Sequence, residues 1–179
     1  MTALAPMPSG PLGTLTAPDT ITLVRTLPGP AERVWRYLTD SDLRRKWLAS
    51  GTMELRPGAD FNLTWHNDTL TNPPGTRPEG FGEQHTMPCR ILAADPPRHL
   101  SFAWPGVGEV AFDLQPQGDE IILTVTHRLL PSRETSLMVG AGWHAHLDIL
   151  VATLRNLHPA PFWDSWTRLK SEYDARLPG

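Results

Sequence analysis

The 179-residue chain carries 16 Lys and Arg against 19 Asp and Glu, a formal charge of −3, and is 40% hydrophobic, which suits one core of ordinary size and argues against a second. No dense run of either sign builds the basic stripe that a nucleic-acid backbone requires. The lone Cys89 fits a reducing compartment, the chain does not open on a secretory-signal pattern, and no apolar run reaches the ~20 residues of a membrane span. These features predict a cytoplasmic protein with neither nucleic acid nor membrane as a partner.

Residues 1–18 hold Pro6, Pro8, Pro11 and Pro18 among small and polar residues without apolar periodicity, which predicts a disordered tail ahead of a single domain over 19–179. Thr20 to Arg25 reads as a strand, and Pro28-Gly29-Pro30 breaks it before a short helix over Ala31 to Leu38. Thr39 or Ser41 is placed to cap a second short helix over Asp42 to Leu48. From Thr52 to about Leu130 the pattern turns to alternation broken by turn residues, as in an antiparallel meander. Its strands begin at Met53 and Leu55 and continue through Phe61 to Trp65, Phe81 to Ala94, Leu100 to Trp104, Gly108 to Leu114 and Ile121 to Leu130, six or seven in all. Asn72 to Pro78 is too rich in chain breakers for a strand and reads as an exposed connection. Val139, Trp143, Leu147, Leu150 and Leu154 recur at helical spacing with His146 beside them, and Phe162, Trp166, Leu169, Tyr173 and Leu177 mark a further helix.

The residues from Ile21 to Leu177 resemble the SRPBCC (START-like) superfamily, in the branch named for the activator of the heat-shock-protein-90 ATPase. The carriers are Pro30 to Trp35 with Trp47, Arg90-Ile91-Leu92 with Asp95-Pro96-Pro97, Leu123 to His127, and Gly142-Trp143-His144-Ala145-His146-Leu147-Asp148. The resemblance implies an α+β helix-grip (Bet v 1-like) fold, in which a curved antiparallel sheet of six to seven strands wraps around a long C-terminal helix and two short helices follow the first strand. It also implies a cavity between sheet and helix that takes a small hydrophobic or aromatic ligand. A co-chaperone or stress-response role follows from the family name alone. The named activator has a further N-terminal domain where this chain has its Pro-rich tail, so a chaperone partner is not expected.

Within such a cavity the candidate ligand-binding residues are Trp47, Phe61, Trp65, His85, Phe102, Trp104, Phe112, His127, Trp143, His146, Leu147 and Leu150. A dry void of ~300 Å³ costs roughly 7 kcal/mol, comparable with a whole domain's stability, so a real pocket is small, wet or occupied. His127 and His146 are placed to orient a ligand carbonyl or hydroxyl, although satisfaction by a backbone carbonyl is the commoner fate of a buried histidine. Glu83 and His85 alternate with Phe81 and Met87 and are an acid and base only if that face points inward. Such a pair would favour a cyclase, dehydratase or hydrolase acting on a ketide-like substrate. A proton-transferring site should show at least two hydrogen-bonded titratable groups beside the cavity. His144 and Asp148, four apart, read as a solvent-facing pair, and His144 with His146 have the wrong spacing for zinc. No metal or cofactor is expected. An exposed Trp163 would support a homodimer.

Overall fold

The structure is a computed structural model that describes residues 5–179. Seven strands, β1 (Thr14–Ala17), β2 (Thr20–Pro28), β3 (Asp60–Trp65), β4 (His85–Asp95), β5 (His99–Trp104), β6 (Gly108–Gln117) and β7 (Glu120–Arg128), form one sheet. Its order is β1-β2-β7-β6-β5-β4-β3, with every neighbouring pair antiparallel. The helices are α1 (Ala31–Thr39), α2 (Ser41–Arg44), α3 (Arg133–Arg155) and α4 (Phe162–Arg176). The helix-grip architecture implied by the resemblance is therefore present.

Alternation sets the inner face of the sheet. Ile21, Leu23, Arg25 and Leu27 of β2, Val110, Phe112 and Leu114 of β6, and Ile121, Leu123, Val125 and His127 of β7 are buried on it, and the intervening residues are half-buried or exposed. Helix α3 starts at Arg133, ten residues before Trp143, because the Ser132 hydroxyl accepts the Thr135 N–H and caps the first turn. It stops at Asn156, which takes the left-handed conformation at φ 55°. By length and composition α3 could cross a membrane, but it packs on β2 and α4, and that burial on both sides accounts for its apolarity.

Several expectations are corrected. Residues 52–56 form no strand, and Ser50 alone bridges to Thr64, so Met53 and Leu55 do not start the meander. β4 begins at His85, which leaves Phe81 and Glu83 in the preceding loop. The second helix ends at Arg44, and Asp40 caps it by accepting the N–H groups of Asp42 and Leu43. Gly51, just beyond it, takes φ +135°, and a Cβ there would lie 1.8 Å from the Asn62 carbonyl oxygen.

The N-terminal segment also departs from expectation. Residues 1–4 lie outside the described region, but 5–17 pack on the domain and supply β1. A closed chain of hydrogen bonds holds them. Gly13 N–H donates to the Tyr173 hydroxyl at 2.7 Å, and that hydroxyl lies 2.9 Å from His144 Nδ1. His144 Nε2 meets Ser9 Oγ at 2.8 Å, while Ser9 Oγ donates to Asp148 Oδ2 at 2.5 Å. Because Ser9 spends its proton on Asp148, His144 must donate from Nε2 and accept from Tyr173 at Nδ1. Gly10 N–H adds a bond to Asp148 Oδ1 at 3.0 Å. The proline-rich composition concealed these anchors because their partners lie more than a hundred residues away. His144 is buried, not a surface residue, and Asp148 pins the segment instead of facing solvent. Tyr173→Phe removes the hydroxyl that joins Gly13 to His144 and is expected to lower stability by about 1 to 2 kcal/mol. Urea denaturation measures this, and hydrogen exchange should rise first at residues 9–17.

Candidate ligand-binding site

The chain between β3 and β4 builds one wall of a pocket. Helix α4 follows Pro161 without a side-chain cap, so its first N–H groups need partners from elsewhere. The loop supplies them: Phe162 N–H donates to Thr71 Oγ1 at 2.9 Å and Trp163 N–H to the Pro74 carbonyl at 2.9 Å. In return, Thr76 N–H donates to Asp164 Oδ1 at 3.0 Å, and the Trp163 indole N–H donates to Asp68 Oδ1 at 2.7 Å. The breaker-rich stretch over Asn72 to Pro78 is thus tied to the start of α4.

Between this loop, the ends of β3 and β5, the first turns of α3 and the start of α4 lies a pocket of about 460 Å³. Trp65, Trp104, Trp143, Phe81, Phe162, Trp163 and Trp166 supply its aromatic walls, and Leu48, Val107, Met138 and Val139 its aliphatic ones. Asn67, Thr135, His146 and the exposed His85 and Glu134 are its polar lining. Trp65 and Trp104 are stacked with centroids 5.2 Å apart, and Phe81 meets both Trp163 and Trp166 at 5.0 Å.

Of the twelve residues expected to bind a ligand, Trp65, His85, Trp104, Trp143 and His146 line this pocket. Trp47, Phe61, Phe102, Phe112, Leu147 and Leu150 lie behind it in the core. Phe61, Phe102, Phe112 and Trp143 form a continuous run of aromatic contacts at 5.5 to 6.0 Å. That run fills the middle of the space between sheet and helix and displaces the pocket to one end. Phe162, Trp163, Trp166, Asn67 and Glu134 were not foreseen as lining residues. The aromatic stripe opening α4 was the available signal. Trp163 is buried, so the exposed aromatic that suggested a homodimer does not exist.

His127 is occupied on both ring nitrogens. The Trp143 indole N–H donates to Nδ1 at 3.0 Å, so the proton is on Nε2, which donates to the Val107 carbonyl at 2.9 Å. Its role is to fix Trp143 and the turn bearing Val107. His146 is different: its Nδ1 lies 2.8 Å from the Trp47 carbonyl, and its Nε2 has no hydrogen-bond partner among the described residues. Burial lowers both histidines from 6.5 to about 4, and the backbone carbonyl each meets only partly offsets this. Cys89 is also buried, and burial pushes its thiol up to about 12, so it stays protonated and inert.

The depressed histidines make stability depend on pH. Unfolded, each binds a proton as pH falls below about 6.5, whereas folded it resists until about 4. Stability is therefore full above pH 6.5 and is lost across the interval down to pH 4, by up to roughly 3 kcal/mol for each of the two histidines. Urea midpoints at pH 7.5 and 4.5 measure the loss; equal midpoints would contradict it.

A long helix laid across a seven-stranded antiparallel sheet, with an aromatic pocket at one end, defines a helix-grip protein of the SRPBCC type. The chain belongs to the family described as Activator of Hsp90 ATPase homolog 1-like protein, whose pattern matches residues 28–155. Helix α4, with Phe162, Trp163 and Trp166, lies beyond that match. No curated protein matches the chain significantly. Among solved structures, a protein from Bordetella parapertussis is 34% identical over 100% of this chain and 97% of its own, with a TM-score of 0.80. CalU16 from Micromonospora echinospora is 24% identical over 87% of this chain and 86% of its own, with a TM-score of 0.65. DynU16, a protein of the dynemicin biosynthetic locus, is 20% identical over 78% of this chain and 48% of its own, with a TM-score of 0.60. The last two share the fold.

Proposed function

We propose that this protein binds a small apolar aromatic molecule in the pocket between α3, α4 and the open end of the sheet. The observation that carries this reading is the wall itself: seven Trp and Phe rings around about 460 Å³, within the ~300 to 1,000 Å³ range of ligand sites. Aromatic walls stack against a flat ligand while excluding water, and the ordered loop and helix hold those walls in place before binding. Among the described residues no hydrogen bond joins His85, Glu134 and His146 to one another, so the hydrogen-bonded pair expected of a proton-transferring site is missing from this wall. That arrangement supports binding over catalysis.

Thermal denaturation with 2-methoxynaphthalene, an uncharged two-ring probe, tests the proposal. At a hundredfold excess over Kd, binding to the folded state stabilises by about 2.7 kcal/mol and raises Tm by about 5 to 10 °C for a chain of this size. No shift up to the solubility limit of the probe would count against it.

A further inference from the structure

We infer that the natural occupant is an uncharged phenol-type molecule whose aromatic hydroxyl donates a hydrogen bond to Nε2 of His146. This rests on the reading that the pocket takes a small aromatic. The Trp47 carbonyl, 2.8 Å from His146 Nδ1, can only accept, so the ring proton is on Nδ1 and Nε2 carries a lone pair. That nitrogen has no protein donor among the described residues, and its ring is part of the pocket wall. A ligand that satisfies it must bring an O–H or N–H.

Charge narrows the class further. No Lys or Arg lines the pocket, and the carboxylate there belongs to Glu134. A ligand carboxylate or phosphate would give up its hydration without gaining a cation, and would face Glu134 and the His146 lone pair. Burial keeps His146 neutral at physiological pH, so it offers no positive charge in compensation.

The His146 lone pair calls for a hydroxyl instead of an ether or ketone. A hydroxyl has one proton to donate, which goes to His146 Nε2, and its oxygen lone pairs stay free to accept. An ether or ketone can only accept, which would leave His146 Nε2 unsatisfied at a cost.

Isothermal titration of the full chain at pH 7 with 2-naphthol, 2-methoxynaphthalene and 2-naphthoate separates the possibilities. The hydroxyl compound should bind about tenfold more tightly than its methyl ether, the worth of one net hydrogen bond. The carboxylate should bind at least about a hundredfold more weakly than the phenol. In His146→Phe the preference for the phenol over the ether should disappear, whatever change the two affinities share. The wild-type ratios decide the matter even if that variant folds poorly. Ether and phenol binding equally, or the carboxylate binding as well as the phenol, would overturn the phenol assignment while leaving the aromatic pocket standing. Failure of all three to bind would remove the pocket reading itself.

Discussion

Gly142→Phe is expected to lower affinity for 2-methoxynaphthalene by at least about a hundredfold while leaving the fold intact. Gly142 sits in the interior of α3 and lines the pocket, and a Cβ built there meets no atom within 4 Å. A larger side chain at this position therefore grows into the space the ligand needs. Replacing a helix-interior glycine also recovers up to about 1 kcal/mol of backbone entropy, so Tm should hold or rise slightly. Gly140, half a turn earlier, is the contrasting site. A Cβ there would stand 2.9 Å from Ile21 Cδ1 and 3.5 Å from the Tyr173 ring, which is a tight approach inside the core. Gly140→Ala should cost about 1 to 2 kcal/mol of stability and leave ligand affinity unchanged. Titration calorimetry with thermal denaturation on both variants reads the two effects separately. Unimpaired binding by Gly142→Phe would place the ligand elsewhere.

Arg44→Met is expected to give the largest loss of stability, roughly 3 kcal/mol or more. Arg44 is buried, and its guanidinium donates to the carbonyls of Ala49 at 3.1 Å, Leu38 at 3.2 Å and Thr39 at 3.2 Å, with a further bond to the Gly51 carbonyl. Methionine would keep much of the side-chain volume but leave these four carbonyls without their donor. Burial lowers the Arg44 pKa to about 10, and the nearby Asp40 only partly offsets this, so the group remains charged at neutral pH. Arg44→Lys should recover less than half of the loss, since an ammonium cannot reproduce the planar fork. The effect reaches the site, because the segment that Arg44 organises includes Trp47, whose carbonyl sets the His146 tautomer, and Leu48 of the pocket wall. Urea denaturation measures the stability change, and a value below about 1 kcal/mol would show that water replaces the arginine at little cost.

Much of the architecture was readable because it rests on local periodicity. The two-residue alternation of Ile121, Leu123, Val125 and His127 marked the inner face of β7, and the helical spacing from Val139 to Leu154 marked α3. What was hidden depends on contacts distant in sequence. Ser9 and Gly13 look like tail residues until His144, Asp148 and Tyr173 are brought beside them. Asn72 to Pro78 looks like a free connection until the unpaired N–H groups of α4 take its acceptors. The candidate site was legible in part for the same reason. Trp65, Trp104, Trp143 and His146 lie on faces that periodicity identifies as inward. Periodicity cannot say which inward residues pack together and which border empty space. Phe61, Phe102 and Phe112 are as inward as Trp65, yet they close on one another, the first two edge to face and the last two tilted, and leave no room among them.

The chain's seven tryptophans report directly on the site, because each indole N–H gives its own NMR signal. Titrating ¹⁵N-labelled protein with 2-naphthol should move the indole signals of Trp65, Trp104, Trp143, Trp163 and Trp166, which line the pocket, along one saturable curve. Those of Trp35 and Trp47, buried away from it, should stay in place. Unmoved signals throughout, or changes centred on Trp35, would contradict an aromatic-binding pocket between α3 and α4.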